Sequence, residues 1–468
     1  MHDWFDHILY GTRAQPEASA MVMEDRVITY GMLGDAIASC AHRIAGLGLA
    51  PDEPVAVCIG NPIRHMTVSL ALFRVGLRAI SIDPAHIGAP GLGYSVLIGD
   101  TAAAAAFRAG SSVVEVTDDW FVPDAANSRA QLPPPFAGSE RICRHSLTSG
   151  STGAPKILDH TVGALGRSIA STVGFSNCGL VLCMPGLSSV FGFRIACGAL
   201  ASRKTLCFAE SPYQAIRMID LFGIDLLYAA TEQLVALVRV ARKTGAHLRS
   251  LRTTVVAGGI PTRALLEGAA VHLCSDIRCR YGTSELGVLA EAAASDVLER
   301  PGLIGFVLPG FEMAAFTATG QPCQPGEMGI VKARVKAGPD RGEDSWTDHG
   351  DVGWITKGGE VFVAQVQYVK WQNLAPVSHQ VLIQAVRLSK GRKVGPEMQQ
   401  PEGISEAGPA GIHSVALAMH NGGVRKCQRN QPKMFEVQRK LVGDAARASR
   451  ECLKQSEIFR CNSLRVLR

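Results

Sequence analysis

Nine consecutive residues combine hydroxyl side chains, glycines and a lysine at a spacing that suits a polyphosphate. The segment runs Thr148, Ser149, Gly150, Ser151, Thr152, Gly153, Ala154, Pro155 and Lys156. Glycines let backbone N–H groups turn toward one anion, hydroxyls add short donors, and the lysine adds a point charge. A flexible connector is the alternative that this composition allows. The strand-like run before the segment and the apolar residues directly after it favour a phosphate loop.

The order of these residues narrows the class of nucleotide enzyme. In the common Gly-x-x-x-x-Gly-Lys-Ser/Thr loop, a hydroxyl follows the lysine and holds magnesium. Here Pro155 separates Gly153 from Lys156, and Ile157 follows the lysine. An ordinary nucleoside triphosphatase is therefore disfavoured.

A second segment joins an aromatic ring, a glycine, two hydroxyls and a carboxylate. It consists of Tyr281, Gly282, Thr283, Ser284 and Glu285. The tyrosine can stack on a base, Ser284 can reach a phosphate, and the carboxylate of Glu285 can bind magnesium through oxygen. A solvated helix cap is the alternative.

Two turns carry further candidate residues. The apolar run 255–257 predicts a buried strand that ends at Gly258 and Gly259, where a flat ring can lie against the backbone. Asp351, which follows Gly350, can accept hydrogen bonds from both hydroxyls of a ribose. Ordinary turns are the alternative for each, but the four segments together are more specific than any one.

Length and composition indicate a folded protein without a membrane span. The 468 residues predict two or three structural units, and 47% of them are hydrophobic against 19% charged. No basic leader precedes an apolar stretch at the N-terminus, and no window approaches the roughly 18 apolar residues that a span needs. The 13 cysteines are scattered singly, which predicts reduced thiols and a cytoplasmic protein.

The net charge of +6 is unevenly distributed along the chain. Residues 365–468 hold 17 Lys and Arg against 7 Asp and Glu, while residues 1–364 hold 30 basic and 34 acidic groups. Because the main body is slightly acidic, the sequence gives no reason to expect nucleic acid as a partner.

Hydrophobic periodicity predicts an α/β protein with large parallel sheets flanked by helices. Strand 55–59, helix 63–75 and strand 79–82 form one strand–helix–strand unit, which implies parallel pairing. The same alternation continues from 162 to 257. Ligand sites in such folds lie at the carboxyl ends of strands.

The chain divides into three parts by this pattern. Residues 10–300 are predicted to form the α/β nucleotide-binding domain. Short strands punctuated by Gly and Pro follow, so 301–364 are predicted to form a small β-rich subdomain of the same unit. Residues 365–468 form an atypical basic tail.

In order and spacing, these motifs resemble the adenylate-forming superfamily, which includes acyl-CoA synthetases, aryl-CoA ligases, luciferases and adenylation domains of peptide synthetases. Residues 148–156 are close to the phosphate loop of that family. Residues 281–285 match its Tyr-Gly-x-Thr-Glu motif with Ser for Thr, and 349–351 match its Thr-Gly-Asp motif with His for Thr. The resemblance covers roughly residues 10 to 364.

The resemblance implies ATP-dependent activation of a carboxylic acid. The carboxylate would attack the α-phosphorus of ATP, giving an acyl-adenylate and pyrophosphate. It implies that Lys156 and the loop hydroxyls hold the β- and γ-phosphates, Ser284 touches the α-phosphate, Glu285 ligates Mg²⁺ and Asp351 holds the ribose. CoA is the implied acceptor of the acyl group, with a carrier-protein thiol as the alternative.

The acid pocket of the family corresponds to residues 187–193 of this chain. The candidate pocket residues are Ser189, Phe191, Gly192 and Phe193. The segment contains no carboxylate for a substrate ammonium, so an aliphatic or aromatic acid is preferred over an amino acid.

The resemblance ends at residue 364. The family continues with a Gly-Arg pair and a small domain that carries a catalytic lysine, but neither pattern follows here. Residues 365–468 hold eleven Gln and one Asp, a change that suggests another reading frame or a replaced terminus. We therefore expect the tail not to form the family's lid and turnover to be impaired. A divergent but functional C-terminal domain, and a disabled nucleotide-binding remnant, are the alternatives.

Overall fold

A computed structural model describes most of the first 364 residues. The described ranges are 4–88, 92–106, 112–123, 132, 135–136, 138–148, 156–171, 178–336 and 345–364. They all fall in one compact unit. The predictions for the loop 149–155 and the tail 365–468 lie outside the described residues.

Helices alternate with strands through most of this unit. The α-helices are α1 (Trp4–Ala14), α2 (Tyr30–Gly46), α3 (Pro62–Arg74), α4 (Thr101–Ala106), α5 (Val162–Ser171), α6 (Val190–Ala201), α7 (Pro212–Phe222), α8 (Thr231–Thr244), α9 (Arg263–His272) and α10 (Ala294–Glu299). Short 3₁₀ helices span Pro84–His86 and Asp118–Phe121. None of the helices in the described ranges is both long and apolar enough to cross a bilayer.

The strands up to residue 230 contribute to two sheets. They are β1 (Ser19–Met23), β2 (Arg26–Thr29), β3 (Pro54–Cys58), β4 (Arg78–Ser81), β5 (Val96–Gly99), β6 (Ser112–Glu115), β7 (Ile142–Thr148), β8 (Lys156–Thr161), β9 (Leu180–Cys183), β10 (Thr205–Cys207) and β11 (Leu226–Ala230).

The remaining strands all join the larger sheet. They are β12 (Thr253–Ala257), β13 (Asp276–Thr283), β14 (Gly287–Ala293), β15 (Leu303–Val307), β16 (Phe311–Phe316), β17 (Gly329–Val335), β18 (Thr347–Ile355) and β19 (Glu360–Val363).

Both sheets are mixed. Among the described strands, the larger sheet has the order β16-β17-β18-β19-β15-β14-β13-β12-β11-β9-β10-β1-β2, and the smaller has the order β6-β5-β3-β4-β7-β8. The strands from β1 through β10, β9, β11 and β12 to β13 are parallel neighbours, whereas β13 to β19 pair in antiparallel fashion. Helices flank the parallel part, as the sequence predicts.

Side chains of the central parallel strands alternate between two cores. Tyr228 and Val255 pack into a cluster with α1, α2 and α6. Leu227 and Val256 pack on the opposite face against α7, α8 and α9. This alternation explains the continuous apolar runs, because strands covered on both faces bury every residue.

Local signals start several of the helices. Asn61, Ser189, Ser211 and Thr262 each accept a hydrogen bond from the backbone N–H three residues later. Such caps satisfy N–H groups that lack a partner within the helix.

The pairing of β7 with β8 was not predicted. The two strands are antiparallel, with Thr148 opposite Lys156. Only seven residues join them, which is too few for the crossover that parallel strands require. The candidate phosphate loop therefore connects two neighbouring antiparallel strands.

The boundary at residue 300 stays a prediction. Strands on both sides of it belong to one sheet, since β14 pairs with β15. The short antiparallel strands that follow have the β-rich character that the sequence indicates.

Candidate active site

The carboxyl ends of β11, β12 and β13 meet at one edge of the larger sheet. Ala230, the last residue of β11, is opposite Ala257, the last residue of β12. Gly258 and Gly259 follow β12 directly, and both are exposed. The Oγ1 of Thr231 donates to the carbonyl of Gly259 at 3.0 Å. Gly258 has a φ of +82°, a conformation that favours glycine.

The structure brings Tyr281 and Asp351 together, although they lie 70 residues apart in the chain. The phenolic hydroxyl of Tyr281, at the end of β13, donates to Oδ2 of Asp351 on β18 at 2.5 Å. Burial raises the pKa of Tyr281, and the neighbouring carboxylate raises it further. An ionised carboxylate has several acceptor positions, so Asp351 can accept this bond and still accept from a ribose hydroxyl.

Thr283 ends β13, and Ser284 and Glu285 begin the turn that leads to β14 (together, the 283–285 turn). The Oγ1 of Thr283 accepts from the backbone N–H of Leu286 at 3.1 Å, which closes the turn. Ser284 is half-buried and Glu285 is exposed. A hydroxyl and a carboxylate on this turn are thus open to a ligand.

Gly282 is required by the close approach of β14. A Cβ atom at this position would lie 2.2 Å from the carbonyl oxygen of Gly287. The pairing of β13 with β14 also shifts its register between Tyr281 and Gly282. The glycine of this motif thus permits the irregular strand end from which Ser284 and Glu285 follow.

A buried arginine, which was not identified from the sequence, donates hydrogen bonds to this turn. Arg194, on α6, donates from Nη1 to the carbonyl of Thr283 at 3.3 Å and from Nη2 to the carbonyl of Ser284 at 2.7 Å. Its residue exposure is 5%. Burial lowers the pKa of Arg194 to about 9, although the carboxylate of Glu285 opposes that shift. The available signal was one charged residue inside an otherwise apolar helix.

A second buried arginine fixes the start of α6. Arg144, on β7, donates from Nη1 to Oγ of Ser81 at 3.0 Å and from Nη2 to the carbonyl of Leu187 at 2.9 Å. Its guanidinium carbon lies 3.7 Å from the centre of the Phe193 ring. Burial lowers the pKa of Arg144 to about 10. The smaller sheet is thereby attached to the segment that was predicted to line the acid pocket.

The fold itself uses the four candidate pocket residues. Ser189 caps α6, since its Oγ accepts from the N–H of Gly192 at 3.0 Å. A Cβ atom on Gly192 would lie 2.3 Å from backbone oxygens of the preceding loop. Phe191 meets Tyr228 edge-on with ring centres 6.3 Å apart, and Phe193 is 4% exposed. Their role in binding an acid stays a prediction.

The phosphate loop can be located only by its two ends. The backbone of Thr148 pairs with that of Lys156, whereas Ser149, Gly150, Ser151, Thr152 and Gly153 lie outside the described residues. Their proposed contacts with ATP stay predictions.

The residues of the 283–285 turn fit a magnesium ion that is carried by a nucleotide. In the described ranges, no group of three or more His, Cys, Asp or Glu side chains is placed to hold a metal ion. Mg²⁺ characteristically binds through one or two carboxylates together with substrate phosphates. A single exposed carboxylate such as Glu285 suits that mode of binding.

Comparisons with known proteins identify the family of this chain. The family described as AMP-binding enzyme matches residues 11–335. The phosphinothricin tripeptide synthetase PhsC of Streptomyces viridochromogenes is 26% identical over 339 residues, which are 68% of this chain and 30% of that protein. The chain thus spans less than a third of the length of the first curated relatives that it matches.

Two solved structures show the same fold. The N-terminal domain of FACL13 from Mycobacterium tuberculosis has a TM-score of 0.68 at 18% identity, over 78% of this chain and 99% of that chain. The o-succinylbenzoate coenzyme A synthetase of Bacillus subtilis, in complex with ATP and a magnesium ion, has a TM-score of 0.63 at 18% identity, over 76% of this chain and 78% of that chain. Since the family match extends over more than half of its residues, the chain belongs to the family of AMP-binding enzymes.

Proposed function

We propose that this protein activates an aliphatic or aromatic carboxylic acid with ATP, forming an acyl-adenylate and releasing pyrophosphate. The observation that carries the proposal is the hydrogen bond between Tyr281 and Asp351. This bond joins Asp351 to the 281–285 segment, which supports a shared role of the two motifs in binding the nucleotide. The family match supports the same chemistry.

Each candidate residue has a separate role in the in-line displacement of pyrophosphate from ATP. Ser284 donates to the α-phosphate, Asp351 accepts from the ribose, and Tyr281 supports both the base and Asp351. Lys156 and the loop hydroxyls neutralise the β- and γ-phosphates. When bound through Glu285, Mg²⁺ supplies further neutralisation of the phosphate charge. Positioning and charge stabilisation are the main requirements of such a step.

The charge near the proposed acid pocket favours an acid without an ammonium group. Arg144 and Arg194 are both buried on or against the segment 187–194. A substrate ammonium would meet like charges there and would find no carboxylate within residues 187–193. Amino-acid activation, which the likeness to peptide synthetases keeps in consideration, is therefore the second candidate.

We propose a thioester as the final product, formed with CoA. The solved relative that is named a coenzyme A synthetase supports CoA as the acceptor. The likeness to a peptide synthetase makes a carrier-protein thiol the alternative. Incubating the protein with the activated acid and either thiol, and measuring which is acylated, distinguishes the two.

Residues 365–468 affect the proposed rate of thioester formation, and not the type of reaction. Their sequence lacks the family pattern after residue 364, so we propose that the tail does not act as the family's lid and that thioester formation is slow. Sequencing the encoding DNA tests whether a shifted reading frame produced the tail. An alternative frame that restores the Gly-Arg pair and the lysine would support that origin, and the absence of such a frame would exclude it.

Exchange of labelled pyrophosphate into ATP tests the proposed function. We expect exchange that depends on an aliphatic or aromatic acid. Exchange with amino acids alone would select the second candidate. ATP binding without exchange for any acid would identify a disabled nucleotide-binding remnant.

A further inference from the structure

Helix α6 buries a positive charge at a substantial cost. Arg194 is the one charged residue in the sequence of α6, and ten of the twelve residues of this helix are buried. Removing a guanidinium from water costs several kcal/mol unless hydrogen bonds and an opposite charge compensate it. The partners of Arg194 therefore indicate what keeps the charge there.

The hydrogen bonds assigned to Arg194 reach a single turn. Nη1 and Nη2 contact two consecutive carbonyls, those of Thr283 and Ser284. The carboxylate that favours its charged form is that of the next residue, Glu285. The planar fork of a guanidinium is suited to two neighbouring acceptors, whereas a lysine ammonium acts as a point charge.

Two other charged or titratable groups near Arg194, both in the described part of the chain, do not compensate its charge. Arg144 carries the same sign and disfavours the charged form of Arg194. His160 is 2% exposed, and burial together with Arg194, Arg144 and His145 lowers the pKa of its imidazole to about 3, so it is neutral near pH 7. The Nε of Arg194 has no hydrogen-bond partner among the described residues. Within the described ranges, compensation thus comes from the 283–285 turn.

We propose that Arg194 is a positioning residue, which holds the carbonyls of Thr283 and Ser284 so that Ser284 and Glu285 face the α-phosphate and Mg²⁺. This inference rests on the proposed function. Because Arg194 lies on α6 next to Phe193, it also joins the helix of the proposed acid pocket to the 283–285 turn. Loss of the fork lets the turn shift, and misplacement by about 1 Å costs about 10²-fold in rate.

The Mg²⁺ dependence of catalysis is the readout that a merely structural arginine would not change. We compare the parent with Arg194→Met and Arg194→Lys in pyrophosphate exchange, titrating Mg²⁺ at fixed ATP. Arg194→Met should reduce kcat about 10²-fold and raise the half-saturating Mg²⁺ concentration several-fold. Arg194→Lys keeps the charge without the fork. Its kcat and its half-saturating Mg²⁺ concentration should lie between those of the parent and of Arg194→Met. If Arg194→Met does not fold, Arg194→Lys alone must still show the shift in Mg²⁺ dependence.

Arg144→Met serves as the matched control for loss of a buried guanidinium. It should destabilise the fold comparably while leaving the half-saturating Mg²⁺ concentration unchanged, since Arg144 contacts Ser81 and Leu187 instead of the turn. A folded Arg194 variant with the parent's kcat and Mg²⁺ dependence would overturn the proposal. So would an equal shift in Arg144→Met.

Calorimetry separates failure of this inference from failure of the proposed function. The affinity for ATP is measured with and without Mg²⁺ in the parent and both Arg194 variants. A parent that binds Mg²⁺·ATP without exchange rejects the acid-activating function, yet the variants must still lose the Mg²⁺-dependent part of the affinity. A parent that binds no ATP rejects both proposals.

Discussion

The two sides of the candidate site are built differently. On the nucleotide side, Ser284 is half-buried and Glu285 is exposed. On the acid side, Ser189 caps a helix, and Phe193 lies buried beneath Arg144. Motif residues on the first side remain available to a ligand, whereas those on the second are used by the fold. Motif spacing therefore supports the proposed nucleotide contacts more strongly than it supports a particular acid.

The largest effect is expected at the phosphate loop on the nucleotide side. Replacing Lys156 with Ala removes the proposed charge on the β- and γ-phosphates and should reduce pyrophosphate exchange by about 10²–10³-fold. Lys357→Ala, at an exposed position on a turn, is the control and should retain the parent rate. Equal activity of Lys156→Ala and the parent would refute the phosphate-loop assignment.

Two buried imidazoles near Arg144 should make the fold sensitive to low pH. Burial lowers the pKa of His65 to about 4, and burial with neighbouring positive charges lowers that of His160 to about 3. Between about pH 6.5 and pH 4, the unfolded chain binds protons that the folded chain does not, so stability falls as pH falls. At pH 5 each imidazole should lower the free energy of unfolding by about 2 kcal/mol relative to neutral pH.

Matched histidine variants test this pH dependence by denaturant unfolding. His160→Gln removes one titrating group and should lessen the loss of stability between pH 7 and pH 5. His247→Gln, at an exposed position, should leave the loss unchanged. A parallel pH dependence in all three proteins would contradict the interpretation.

A smaller effect is expected where the two nucleotide-side motifs meet. Asp351→Asn keeps the shape of the side chain but removes the charge that accepts from Tyr281 and from a ribose. The KM for ATP should rise about 10-fold, since a charge-assisted hydrogen bond contributes roughly 1.5 kcal/mol or more. Tyr281→Phe, which retains the ring, should raise the KM less. An unchanged KM in both variants would separate this pair from nucleotide binding.

The smallest effect is expected from the helix cap on the acid side. Ser189→Ala removes the acceptor for the N–H of Gly192 and should reduce the free energy of unfolding by about 1 kcal/mol. The KM for ATP should stay at the parent value, because the Oγ of Ser189 contacts Gly186 in the preceding loop and Gly192 in the first turn of α6. A large change in this KM would show that the two sides are not separate in the way proposed.

Local patterns predicted much of the fold. The predicted strand 55–59, helix 63–75 and strand 79–82 agree within one residue with β3, α3 and β4, because strong periodicity marks each of them. The antiparallel pairing of β7 with β8 was missed, since it depends on the length of the loop between them. Sequence periodicity describes each element better than it describes which elements become neighbours.

In the candidate site, too, residues in local motifs were identified from the sequence, whereas residues that act through distant contacts were not. Tyr281 and Asp351 were each identified by local motif, and the structure joins them. Arg144 and Arg194 were not identified, because their importance comes from contacts with residues about 40 to 90 positions away. For Arg194, a charged residue inside an otherwise apolar helix was the one sequence signal of such contacts.

Exchange of labelled pyrophosphate into ATP by the parent and by Glu285→Gln, over a panel of acids, tests the central claim most directly. The parent should exchange with at least one aliphatic or aromatic acid, and Glu285→Gln should reduce that exchange by about 10² or more, since one stabilising group is lost. Exchange of equal rate in both proteins would contradict the proposed role of Glu285 in binding Mg²⁺. ATP binding by the parent without exchange for any acid would contradict the proposed activity.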